Sequence, residues 1–201
     1  MRPSILVVVP TVLGREASLQ RCLDAYQSRS AGAELTIRVA EGAGSCGEGW
    51  LAGAEDAPCQ FVHLSADDLE PHEGWWQPLV EACDRGELPC PVVLMPDGTV
   101  QSAGGDFAQE NHLRSWIAED WTTVPWPTVP FMSLTQWHQV WMLPIQYCSD
   151  AWVGVRGAQL GYRTVLRTGS RFTHHNETAG RLSTHATDMD MFARAVAQVA
   201  A

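Results

Sequence analysis

The chain has 201 residues, of which 45% are hydrophobic, with a mean hydropathy of -0.12 and a net charge of -10. That length suits one domain with a full hydrophobic core, and the acidic balance excludes nucleic acid or an anionic membrane surface as the main partner. A phosphate-bearing substrate would need a local cation, and a divalent metal is the obvious candidate. Six cysteines, at 22, 46, 59, 83, 90 and 148, form no C-x-x-C pair, which argues against a zinc ribbon and against a disulfide framework. The apolar run before Pro10 holds only five residues, short of the roughly 7–15 of a signal-peptide core. Nothing later approaches the ~20 apolar residues of a bilayer span. The expectation is a cytoplasmic protein with reduced thiols and no membrane span.

In chain order, SILVVV at 4–9 is unbroken and β-branched, as in a strand covered on both faces of a parallel sheet. Residues 15–29 carry Leu19, Cys22, Leu23 and Tyr26 at helical spacing. LTIRVA at 35–40 predicts a second strand, running into the glycine-rich EGAGSCGEG and a short helix around 50–55. FVHL at 61–64 predicts a third strand, ending at Asp67 and Asp68. Residues 1–68 thus read β-α-β-α-β, and in such sheets ligands bind outside the carboxyl ends of the strands. Thr11, Glu41 and the acid pair all fall at such ends.

A helix is expected at 73–84, then a strand at 92–95 and a hairpin at the D-G turn of PDGTVQSAGG. Residues 106–127 lack periodicity. A strand at 129–134, a helix at 135–142 and a helix at 149–160 capped by Ser149 follow. Short strands at 162–166 and 171–173 end at His174 and His175, and a capped helix closes the chain.

Adjacent aspartates before a helix are often only a turn or cap. At a strand end they also suit a hard cation that completes its shell with substrate phosphates. Asp150 likewise complements a helix N-terminus. TDMD at 187–190 fits D-x-D, but Thr187 with an acid three residues later has the form of a capping box, so that motif is read as structural. EGAGSCGEG lacks the lysine of a phosphate loop.

Three patches carry a more specific resemblance: ILVVVPTVLGREASLQRCLDAY, FVHLSADDLEPHEGWWQPLVEAC and YCSDAWVGVRGAQLGYRTVLRTGSRFTHH. Their order and spacing resemble the GT-A fold glycosyltransferases, most closely the family 2 type that uses nucleotide-sugar donors. The resemblance implies a single α/β GT-A (Rossmann-like) domain over 1–201, with a mixed, mainly parallel central sheet flanked by helices. Residues 1–95 would form the nucleotide-binding half and 96–201 the acceptor-binding and catalytic half. It implies a metal-dependent, inverting transfer of a sugar from a nucleotide-diphosphate sugar to a hydroxyl of a glycan or protein acceptor. Asp150 would be the general base. Pro10, Thr11, Arg15, Glu41 and Asp67 would hold the nucleotide, and Asp68 and His174 would bind Mn2+ or Mg2+. Trp152 and Trp137 are expected at the acceptor, and Arg181 in a lid.

The chain departs from the pattern where Ser65 or Ala66 stands in place of the first acid of D-x-D. It departs again where Ser149 and Trp152 stand in place of acids around Asp150. Two rivals remain. A sugar-phosphate nucleotidyltransferase would carry a basic, glycine-rich signature after the first strand, of which VLGRE supplies only Gly14 and Arg15. A nucleotide- or sugar-binding relative without turnover would account for Ser65 and Ser149.

Overall fold

The computed structural model describes residues 2–56, 58–105, 119–175 and 185–200. In chain order the elements are β1 (Ser4–Thr11), α1 (Glu16–Arg29), β2 (Glu34–Glu41), α2 (Cys46–Ala54), β3 (Phe61–Leu64), β4 (Leu69–Pro71), α3 (Gln77–Asp84), β5 (Leu88–Leu94), β6 (Val100–Ser102), β7 (Phe131–Ser133), α4 (Leu134–Val140), α5 (Ser149–Gln159), β8 (Thr164–His174) and α6 (His185–Ala200). The fold is mixed α/β.

The unbroken apolar run of β1 dictates a strand with two covered faces, and it has them. Ile5, Val7 and Val9 enter one core cluster with Tyr26 of α1 and Leu79 of α3, while Leu6 and Val8 enter another with Trp50 of α2 and Val153 of α5. All five strand residues are essentially fully buried, each stabilising the fold by roughly 1.5–3 kcal/mol. Replacing Val7 by Asp would leave an unpaired charge in one of these clusters and break the strand.

The strands form two four-stranded sheets rather than the one central sheet expected. The first has the order β2-β1-β3-β7, with β1 parallel to β2 and β3, and β7 antiparallel. The second has the order β4-β8-β5-β6, in which β5 and β8 are parallel. The β5–β6 pairing is the hairpin signalled by the D-G turn.

Several expected boundaries move, each for a physical reason. α2 starts at Cys46, inside the glycine-rich stretch, because Ser45 caps it by accepting the backbone N–H of Glu48 at 3.1 Å. The helix expected from 73 begins at Gln77. The two strands expected at 162–166 and 171–173 are the single β8. Its polar middle hides this, because Arg167 is buried with partners: it donates to the Pro78 carbonyl at 3.0 Å and to Glu81 at 2.9 Å, and lies 3.5 Å from the Trp121 ring centroid. Cys148, not Ser149, precedes the first turn of α5 and makes no side-chain cap. Thr187 lies inside α6, so it is no cap either. Among the described residues no helix is long and apolar enough to cross a membrane, and all six cysteines are free thiols.

Candidate active site

The carboxyl ends of β1 and β3 meet because the two strands run parallel in register, with Val8 beside Leu64. There the acid pair is held by the opening of α1. Arg15 donates from Nε to Asp67 Oδ2 at 2.7 Å and from Nη2 to Asp67 Oδ1 at 2.6 Å, a two-pronged pair. Thr11 Oγ1 donates to Asp67 Oδ2 at 2.7 Å, and Ser18 Oγ donates to the Asp67 carbonyl at 2.9 Å. Asp67 therefore spends three of about four carboxylate acceptor sites inside the protein. Asp67, expected at the nucleotide, is here the bracket that ties β1 and α1 to β3. Arg15, expected at the nucleotide, is the other arm of that bracket.

Asp68 shares Arg15 with Asp67 and adds His174. Its Oδ2 lies 3.2 Å from Arg15 Nη2 and 3.2 Å from His174 Nε2. Burial pushes the Asp68 carboxyl up, but the hydrogen bond and charge of His174, together with the Arg15 guanidinium, leave it below the usual carboxylate range. His174 reaches it because β8 pairs antiparallel with β4, placing His174 opposite Leu69. The His175 N–H also donates to the Asp68 carbonyl at 3.0 Å. The other ring nitrogen of His174, Nδ1, lies 2.7 Å from Gln101 Oε1 on β6, the kind of outer contact that orients a metal-ligating imidazole.

His174 opens onto a cleft of about 280 Å³, and Asp150 lines the same cleft. So do Ser65, Trp50, Gln101, Cys46, Gln146 and Cys148. Asp150 stands in the first turn of α5, where the helix dipole favours a negative charge, and its Oδ1 accepts the Ala151 N–H at 2.8 Å. Two non-glycine residues with left-handed backbone border the cleft, Val129 at φ 50° and Cys148 at φ 63°. Such conformations persist only where the surroundings over-determine them, and they gather at functional sites. Burial pushes the thiols of Cys46 and Cys148 up to about 11, so neither is a ready nucleophile.

The remaining expected residues divide. Pro10 and Thr11 end β1, and Glu41 pairs with Thr11 across β2 on the exposed edge. Trp152 and Trp137, expected at the acceptor, are both buried. Trp152 is fully buried and donates its indole N–H to the Trp141 carbonyl at 3.0 Å, and Trp137 packs in the core with Leu6 and Val8. Their apolar area is worth more in the core than on a rim. Arg181 lies outside the described residues. Sequence reasoning missed Trp50, whose Nε1 donates to the Ser65 carbonyl at 2.8 Å, and Gln101, whose place just beyond the D-G turn was its only signal. Ser65, standing where an acid is usual, is bound at 2.8 Å to the Tyr26 hydroxyl, which is also 2.8 Å from His63 Nε2.

Among the described residues no three His, Cys, Asp or Glu side chains converge as a metal cage. Two protein donors do converge, the Asp68 carboxylate and the His174 imidazole. One or two protein ligands with water and phosphate oxygens is what Mg2+ or Mn2+ uses in substrate-bridged sites, so this donor set fits.

No protein-family model and no curated protein matches the sequence. Solved structures do. The crystal structure of GalNAc-T7 with UDP, GalNAc and Mn2+ matches with a TM-score of 0.68 over 89% of this chain at 13% identity. S. aureus TarS 1-349 in complex with UDP-GlcNAc matches with a TM-score of 0.68 over 99% of this chain at 10% identity. This chain spans 44% of the GalNAc-T7 chain and 66% of the TarS 1-349 chain. Both are GT-A-type glycosyltransferases, and at these identities the likeness is one of fold. The fold of this chain is the GT-A type.

Proposed function

We propose that this chain is a metal-dependent, inverting glycosyltransferase that moves a sugar from a nucleotide-diphosphate sugar to a hydroxyl of a glycan or protein acceptor. The observation that carries the reading is the single cleft lined by both Asp150 and His174, the latter against Asp68. Residues 1–95 supply the nucleotide side, with Pro10, Thr11 and Glu41 at the base and ribose, and residues 96–201 supply the acceptor side. Arg15 and Asp67 hold the strand tips at their spacing. Asp68 and His174 hold Mn2+ or Mg2+, which when bound stabilises the charge of the departing diphosphate as a Lewis acid. Asp150 takes the proton of the acceptor hydroxyl as that oxygen attacks the anomeric carbon from the face opposite the diphosphate. A base so placed needs no partner acid, since the leaving group requires charge stabilisation rather than a proton. The apolar lining from Leu64, Val93 and Val129 keeps water from competing with the acceptor.

Both neighbours were solved with a uridine nucleotide, which makes UDP the first probe. Thermal unfolding should shift upward with UDP and Mn2+ together and not with UDP alone; saturation at 100 times Kd corresponds to about 2.7 kcal/mol. A response to nucleoside triphosphates only would replace transfer with nucleotidyl chemistry. Mn2+-dependent binding without turnover on any acceptor would leave a binding protein.

A further inference from the structure

The segment 143–148, which leads into Asp150, is held from two sides. On one side it rests on α2. The Gly47 N–H donates to the Ile145 carbonyl at 3.0 Å, and the approach is so close that a Cβ at Gly47 would lie 2.1 Å from the Leu143 carbonyl oxygen. The Gln146 side chain extends that contact, its Oε1 accepting from Cys46 N–H at 2.9 Å and its Nε2 donating to Cys46 Sγ at 3.1 Å. On the other side stands Asp188, in the first turn of α6 and 6% exposed. Its Oδ2 accepts the backbone N–H of Gln146 at 3.1 Å and of Tyr147 at 3.0 Å.

Those two amides immediately precede Cys148, the left-handed residue that swings the chain into α5 and brings Ser149 and Asp150 to the cleft. A buried carboxylate accepting two backbone N–H groups is a strong, charge-assisted contact, placed where the backbone most needs outside support.

We infer that Asp188 is a positioning residue for Asp150: it fixes the 146–148 backbone so that the carboxylate at 150 faces the cleft. The inference rests on the reading of Asp150 as the base, and gives Asp188 of the TDMD motif a role through the turn that leads into α5 rather than at a metal.

The test uses the full chain. In Asp188→Ala the amides of 146 and 147 exchange with deuterium about 10-fold faster or more. The kcat for sugar transfer falls about 10- to 100-fold while the donor KM stays within about twofold, because a misplaced base impairs chemistry and not donor binding. Asp188→Asn, which keeps an oxygen acceptor, regains most of the lost kcat. The double variant Asp150→Asn with Asp188→Ala loses no more than Asp150→Asn alone, since the base is removed only once. Unchanged exchange, unchanged kcat, or an equal loss of kcat and donor affinity in Asp188→Ala overturns the inference. If Asp188→Ala does not fold, Asp188→Glu replaces it: the acceptor is displaced by one methylene with its charge kept, a fall in kcat at constant donor KM supports positioning, and an unchanged kcat overturns it. A wild-type chain that turns over no nucleotide-sugar overturns the reading of Asp150 instead, while the exchange measurement judges the Asp188 contact by itself.

Discussion

The strand tips around Asp67 and the helix start around Asp150 flank one cleft and are held in place by different physics. At the strand tips, charge is answered by charge. Asp67 is gripped by Arg15 and Thr11, and Asp68 meets both Arg15 and His174. At the helix start a carboxylate is delivered by backbone geometry, a left-handed turn at Cys148 pinned from α2 and α6. The first region is a preformed electrostatic frame whose parts support one another. The second places one acid, and its accuracy depends on neighbours remote in sequence. A frame of the first kind suits binding; a placed group of the second kind suits chemistry.

The sharpest way to break this comparison is Asp150→Asn. Transfer should fall about 10²- to 10⁴-fold, the range of a lost general base, while the Kd for UDP with Mn2+ is unchanged. Steady-state kinetics beside calorimetric titration measure both. Unaltered turnover would remove Asp150 from the reaction and leave the helix start as mere packing.

Next comes the frame itself. Arg15 and Asp67 are each less than a tenth exposed in their side chains, so Arg15→Ala leaves a buried carboxylate uncompensated and should destabilise the fold by about 3–5 kcal/mol. Urea unfolding reads this. A loss below about 1 kcal/mol, the range of exposed pairs, would mean that the bracket is not structural. Asp68→Ala has an effect of another kind: the Mn2+-dependent part of UDP binding should weaken at least about 10-fold. Equal weakening with and without Mn2+ would detach Asp68 from the metal.

A pH-dependent effect concerns His63, buried beneath the strand tips in contact with Tyr26. Burial pushes its imidazole down to about 3, so the folded protein keeps it neutral while the unfolded chain protonates it below about 6.5. Its contribution to stability is complete above that pH and is lost as the pH falls toward 3, with a slope of at most about 1.4 kcal/mol per pH unit. His63→Gln should flatten the stability profile between pH 6 and 4 by that amount, measured by urea unfolding at several pH values. An unchanged slope would show that His63 does not titrate differently on unfolding.

The β-α-β-α-β opening was legible because its first and third strands are nearly unbroken apolar runs, the second alternates, and the helix after the first carries one stripe, so local pattern and tertiary role agree. Where they disagree the reading slipped. β8 was split at Arg167 because a buried arginine looks like a loop until Glu81 and Trp121 are seen around it. Trp152 looked like a ligand platform two residues from Asp150, yet the turn of α5 carries it to the opposite side, into the core. Asp67 and Asp68 are adjacent in sequence, and their partners differ through tertiary contacts: Thr11 and a two-pronged Arg15 hold Asp67, while His174 comes to Asp68.

The sequence by itself determined the α/β class and the strands that end at Thr11 and near Asp67, because those follow from periodicity and local chemistry, while the candidacy of Asp150 and His174 came from the resemblance to the GT-A glycosyltransferases. Which carboxylate is consumed by the scaffold, which tryptophans are core, and that His174 and Asp150 share one cleft were decided only by tertiary structure. These depend on pairings between residues far apart in the chain, such as β4 with β8 and Asp188 with Gln146, whose free energy belongs to the contact and is written in neither segment alone.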